Sequence, residues 1–162
     1  MNDDISYYTF DNMNIYKSKY KRNILLYIIC VCLFVVINII ICFINDDYLY
    51  TIITSVLWLF FVNFSVFHIY KTIILPRRAY NLYNILYFGN KKNIILTYKG
   101  DCRVISRQGL KFNEYCFTDD NGEEYKLFLY GIISFDFSTG QTYHLSLVDD
   151  LIYGGIVYER RI

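Results

Sequence analysis

The chain has 162 residues, of which 55% are hydrophobic, and a formal net charge of +1 at pH 7. That length holds a membrane segment and one small domain at most. That balance hides a separation, with basic residues clustered beside the apolar runs, and the near-neutral region over 90–162 argues against a nucleic-acid partner, which is held by an excess of Lys and Arg on phosphates.

Residues 1–22 read as an N-terminal cytoplasmic segment. Its first part is polar and aromatic, with Asp3, Asp4 and Asp11 and little periodicity, and is expected to be loosely ordered or to lie on another surface of the protein. Its second part alternates Tyr with Lys17, Lys19, Lys21 and Arg22, which suits an interfacial collar containing Tyr16, Tyr20 and Tyr27.

Residues 23–75 read as a transmembrane helical hairpin. No Asp, Glu, Lys or Arg lies between Arg22 and Asp46, or between Asp47 and Lys71. Each gap is roughly the 20 residues that a helix needs to cross hydrocarbon. At about 0.4 kcal/mol per large apolar residue, insertion of the first span is worth at most on the order of 6 kcal/mol. The Asn45-Asp46-Asp47 stretch allows only a reversal. Lys17, Lys19, Lys21 and Arg22 before the hairpin, and Lys71, Arg77 and Arg78 after it, outweigh an acidic connecting loop. The positive-inside rule then puts both termini in the cytoplasm, and the basic edge attracts anionic headgroups.

Setting Ile44 against Leu49 places Asn38 level with Ser55, and Asn63 with Cys30. Asn38, Thr54, Ser55 and Asn63 are therefore expected at the helix contact, with Asn38 bonding Thr54 or Ser55 across it. Cys30, Cys32 and Cys42 lie in the first span as small apolar residues.

The only proline, Pro76, should end or kink the second helix after Leu75. Residues 76–90 form a short interfacial helix or linker with Tyr80, Tyr83 and Tyr87 on one face and Gly89 as a left-handed cap. Its favoured role is to support the domain that follows.

From Lys92 onward the period is two. In 96–107, Leu96, Tyr98, Cys102 and Val104 point one way, with Gly100 as a bulge. Strands follow over Leu110–Thr118 and Glu124–Tyr130, joined through Asp120-Asn121-Gly122 as a type I′ turn. Residues 131–137 fit a strand or a turn. Strands over 141–148 and 151–159 follow, with a bulge or bend at Gly154-Gly155. Residues 91–162 thus form a small cytoplasmic antiparallel β-barrel of the SH3 or OB type. The fold class is α+β: a transmembrane hairpin, an interfacial helix and a barrel.

No phosphate loop, zinc spacing or protease motif is present, and no cofactor or metal is expected. Alternation puts Cys102 and Cys116 inside the barrel, away from a solvent-facing His144, which argues against a nucleophile pair. Asp136, Asp149 and Asp150 are explained by turns. One surface group remains: Arg103, Arg107 and Lys111 with exposed Tyr115 and Phe117, suited to a partner's acidic face, a headgroup or single-stranded nucleic acid. The expected protein is a non-enzymatic bacterial inner-membrane protein whose barrel binds a protein partner, as an accessory subunit or an immunity-type factor. The alternative is a homo-oligomeric pore or transporter subunit built from the hairpins.

Overall fold

The fold is seen in a computed structural model of the chain, which describes residues 7–44, 48–133 and 135–158; the side chains at 42, 44, 48–50, 101 and 102 are also outside the description. The expected Asp46-Asp47 loop and the Cys42 and Cys102 side chains fall outside it. The chain divides into two compact units, residues 15–77 and residues 1–14 joined with 78–162.

The first helix, α1, runs over Phe10–Ile44 and starts well before the apolar span. Thr9 begins it: its hydroxyl accepts from the Asn12 N–H at 3.4 Å, and Asp11 sits in the first turn, where a helix favours negative charge. The second, α2, covers Tyr48–His68. The two helices meet through Phe34, stacked on Phe61 at 3.9 Å and edge-on to Trp58 at 4.9 Å, and through Tyr27 on His68 at 6.1 Å. Each α1 residue thus faces a position about two residues later in α2 than depth-matching predicts. The stacking of Phe34 on Phe61 and of Tyr27 on His68 sets this offset.

The polar side chains of the two helices make local bonds. Asn38 donates to Phe34 O, Thr54 and Ser55 to Thr51 O, and Asn63 to Leu59 O. A side chain one turn from a carbonyl on its own helix reaches it without needing a partner helix. Only Asn38 of the four is buried.

After His68 the helix widens into a π-helical segment, Ile69–Ile74, and continues as α3, Leu75–Phe88. Pro76 therefore does not stop the helix. Proline lacks an N–H, and its ring collides with the carbonyl four residues back, here that of Thr72. The wider turn makes room: Leu75 N–H bonds Tyr70 O, one residue beyond the α-helical choice. The side chain of Asn23 donates to Thr72 O at 2.8 Å.

In α3 the buried stripe is Ala79, Leu82, Tyr83 and Leu86, so only Tyr83 of the three tyrosines lies in it, and Tyr87 is exposed. The 3–4 spacing of Ala79, Leu82, Tyr83 and Leu86 offers more apolar area on one face. Gly89 is no left-handed cap, because its φ is not positive. It is needed for close approach: a Cβ there would lie 2.5 Å from Ile85 O and 2.6 Å from Val148 Cγ1.

Five strands close a barrel in the order β1-β2-β3-β5-β4: β1 Lys92–Arg107, β2 Leu110–Thr118, β3 Glu124–Tyr130, β4 Thr142–Val148 and β5 Leu151–Val157. Every pairing is antiparallel except β3 with β5, which run parallel and meet at Phe128 and Leu151. The first strand is long because it pairs with β4 over residues 92–97 and with β2 over the rest. Gly100, with φ 104°, sits in the register shift between Tyr98 and Cys102, as expected of a bulge. Val104 lies beyond it and is exposed rather than inward.

The type I′ turn belongs to Gln108-Gly109, with φ values of 53° and 81° between the paired Arg107 and Leu110. At the predicted Asn-Gly turn only Gly122 has positive φ. There the Asp119 carboxylate accepts from the Asn121 and Glu123 N–H groups and sets a different turn. The described residues of 131–137 form no strand. In β5 the register shifts where Gly154 pairs with Ser146 and Ile152 with Leu147, which places the bulge at Tyr153.

The barrel interior is filled by Leu96, Phe117, Leu129, Leu145 and Ile152, all at most 1% exposed. Phe137, from the β3–β4 loop, inserts among Tyr115, Phe117 and Tyr143 at 4.8–5.2 Å. A second apolar layer lies outside: Tyr83 meets Tyr130 edge-on at 6.1 Å, and Tyr130 meets Phe112 at 5.8 Å.

The N-terminal segment completes this layer. Tyr7 N–H bonds Tyr153 O at 3.0 Å, and its hydroxyl donates to Gly155 O. Tyr8 is 1% exposed, and its hydroxyl accepts from Tyr130 N–H at 3.2 Å. These two tyrosines bridge β5 and β3 beside their single parallel contact. The compact unit is thus wider than the predicted 91–162.

Candidate functional site

The expected surface group of Arg103, Arg107, Lys111, Tyr115 and Phe117 is dispersed. Strand register puts Arg103 opposite Glu114 and Arg107 opposite Leu110, while Lys111 pairs with Ser106 on the other face. Tyr115 and Phe117 are 6% and 0% exposed, inside the barrel rather than on it. Simple alternation misreads β2 because both of its faces are covered. Leu110, Phe112 and Glu114 are buried on one side, Tyr115 and Phe117 on the other, so Cys116 turns outward and is half-buried.

Arg103 is committed to structure. Its guanidinium lies 2.9 Å from the carboxylate of Glu114, which is 5% exposed. Hydrogen bonding and attraction to Glu114 push the Arg103 pKa up.

Arg107 ends β1 at a cleft of 240 Å³. Its guanidinium pairs with Asp150 at 2.8 Å and lies 3.6 Å from the centre of the Phe128 ring. Arg78, one turn into α3, donates to Gln108 O. The type I′ turn turns that carbonyl toward the helix. Arg78, Asn81, Arg107 and Asp150 give the cleft polar walls, and Leu82, Ile85, Leu110 and Phe112 give it an apolar lining. Two guanidiniums face one carboxylate. Among the described residues no carboxylate pairs with Arg78. An Arg fork with five N–H donors, one of them on a carbonyl, can take a planar or tetrahedral oxyanion.

No family model, no curated protein and no solved structure matches the chain. Function therefore rests on the residues themselves.

Cys116 and His144 stand on strands separated by β1, with no hydrogen bond between them. Among the described residues no group of three His, Cys, Asp or Glu side chains could hold a metal ion. Asp149 sits in the β4–β5 turn at φ 55°, and Asp150 beside it holds Arg107. The cations expected at a membrane edge, Lys17, Lys19, Lys21, Arg22, Lys71 and Arg77, are exposed, while Arg78 is half-buried at the cleft. The Asn23–Thr72 bond sets Lys21, Arg22 and Lys71 at one level of the hairpin.

Sequence reasoning missed three features. Gln108-Gly109 between two alternating runs was a usable turn signal, since Gly accepts positive φ. Asn23 had a signal only when paired with Pro76, which orphans a carbonyl. Tyr7 and Tyr8 had none, because their partners are about 120 or more residues away.

Proposed function

We propose that the chain is a non-enzymatic integral membrane protein of the bacterial inner membrane, with two spans and both ends in the cytoplasm, whose barrel unit binds a protein partner. Two helical stretches, Phe10–Ile41 and Thr51–Phe88, are long and apolar enough to cross a membrane, and only 6% of the most apolar window of each is buried. Leu25, Leu26, Ile28 and Ile29 are all exposed, and successive residues on a helix face different directions. An apolar surface on every side suits lipid and does not suit water.

The observation that carries the topology is the seating of Tyr7 and Tyr8 in the barrel. Residues before the first span and strands after the second are joined by hydrogen bonds. This supports a topology in which both lie on one side of a bilayer and the chain between them crosses it an even number of times. The basic flanks favour the cytoplasm as that side.

The strand order, the long shared β1 and the parallel β3–β5 closure favour the OB arrangement over the SH3 one. A barrel filled by its own aromatics favours contacts on its outside. Phe10, Tyr87 and Phe88 give such a surface, 47%, 37% and 66% exposed, with the Tyr87 ring in contact with the other two. In the partner-binding reading this is where an accessory or immunity-type protein meets its target.

Labelling tests the topology. A cysteine replacing Asp46, in a chain whose own cysteines are changed to serine, should react with an impermeant maleimide on intact spheroplasts. Reaction only after lysis would overturn the orientation, and a chain soluble without detergent would overturn the membrane reading. Affinity capture of the detergent-solubilised protein should retain a stoichiometric partner that Phe88→Asp releases. Repeated failure with folded protein would overturn the partner reading.

A further inference from the structure

We infer that the cleft between α3 and the β1–β2 turn seats the phosphate of an anionic membrane lipid. The inference rests on the membrane reading above and gives its basic edge one definite binding position.

Charge is the first reason. Arg78 and Arg107 face the cleft with Asp150 as the one carboxylate among its described residues, which leaves an excess positive charge for an oxyanion. Order is the second. Arg107 is held by the Phe128 ring and by Asp150, and Arg78 by Gln108 O, so little side-chain freedom is lost when an anion binds. The lining is the third. Leu82, Ile85, Leu110 and Phe112 offer nothing to a bare inorganic ion, but they suit the glycerol and first methylenes beside a lipid phosphate. Position is the fourth. Arg78 comes three residues after Leu75, where the helix leaves the π-helical segment at the end of the apolar span. A phosphate attached to an apolar body is present there at high local concentration.

The test uses the full chain in detergent, titrated with phosphatidylglycerol or phosphatidylcholine of identical acyl chains and followed by native mass spectrometry. One phosphatidylglycerol should be retained with roughly tenfold preference, the scale of a charge-assisted hydrogen-bond pair. Arg78→Gln should abolish the preference. Asp150→Asn should instead tighten binding about threefold, by removing a competing carboxylate. A structural role for these residues would weaken binding in both variants, so opposite signs support the inference and equal signs overturn it.

Equal retention of the two lipids also overturns it. Displacement of the lipid by millimolar inorganic phosphate would assign the cleft to a soluble anion and overturn the lipid source. Detergent-independent solubility would strike the membrane reading, whereas lost preference in a detergent-requiring chain strikes this cleft alone.

Discussion

The Asn23 side chain donates a 2.8 Å hydrogen bond to the backbone carbonyl of Thr72, the acceptor that Pro76, four residues later, cannot satisfy. One helix thus repairs a defect that proline makes in the other, and the repair fixes their register. Asn23→Ala should destabilise the hairpin by about 0.5–1.5 kcal/mol, the range measured for such bonds in bilayers. Pro76→Ala restores an N–H that can reach Thr72 O, so Asn23→Ala should cost less in that background than in the parent chain. Unfolding in bicelles across this double-mutant cycle checks the coupling, and strict additivity would contradict it.

Tyr8 tests the N-terminal clasp. Tyr8→Phe keeps the ring and loses the hydroxyl that accepts from Tyr130 N–H, with an expected loss of about 1 kcal/mol. Tyr8→Ala also leaves a cavity between Tyr83 and Tyr153, and should cost about 3–5 kcal/mol. Denaturant unfolding followed by near-ultraviolet circular dichroism separates the two.

Both clasp tyrosines should report on alkaline pH. Burial pushes their hydroxyls above the ordinary value of 10.0, with nearby Tyr143 and Tyr115 adding to the effect on Tyr7. The folded state therefore favours the neutral phenol. This contribution to stability is fully present below pH 10.0 and is lost as pH rises beyond it. Tyrosinate absorbance should show a late-ionising component that the Tyr7→Phe, Tyr8→Phe double variant lacks.

Gly89→Ala should destabilise by about 1–3 kcal/mol through overpacking. The new methyl would meet a backbone carbonyl, which cannot swing aside, as well as Val148. A companion change at the open position Gly122, where φ is 83°, penalises backbone conformation without crowding. A second substitution, Val148→Ala, should rescue part of the Gly89→Ala loss and none of the Gly122→Ala loss in thermal unfolding.

Arg103→Gln should destabilise the barrel through Glu114, whose buried carboxylate would lose its cation. Glu114→Gln, which removes charge from the buried site, should be tolerated better. If the two variants unfold alike, the ion pair is not what Arg103 contributes.

The apolar hairpin was legible because charge-free runs of about 20 residues have few other uses. Three of the five strands were legible nearly to the residue, since Gly, Asn and Asp marked their turns. Which residues faced outward was harder. Period-two reading assumes one covered face, and β2 has two, so Tyr115 and Phe117 were placed on the surface and Cys116 inside. The binding group failed for the same reason. Arg103 and Arg107 were chosen correctly as neighbours on one face of β1, but their partners Glu114 and Asp150 are visible only once the strands pair. Polar residues in the spans were read as cross-helix contacts, although a carbonyl one turn away on the same helix is always the nearer acceptor.

The clasp also constrains how the protein is made. Tyr7 and Tyr8 leave the ribosome before both apolar helices, and their partners Tyr153 and Gly155 leave it after them. The barrel can close only once β5 has emerged. Until then the early tyrosines must wait unsheltered, so a translational pause placed just before β5 should cause misassembly where the same pause placed after β5 does not.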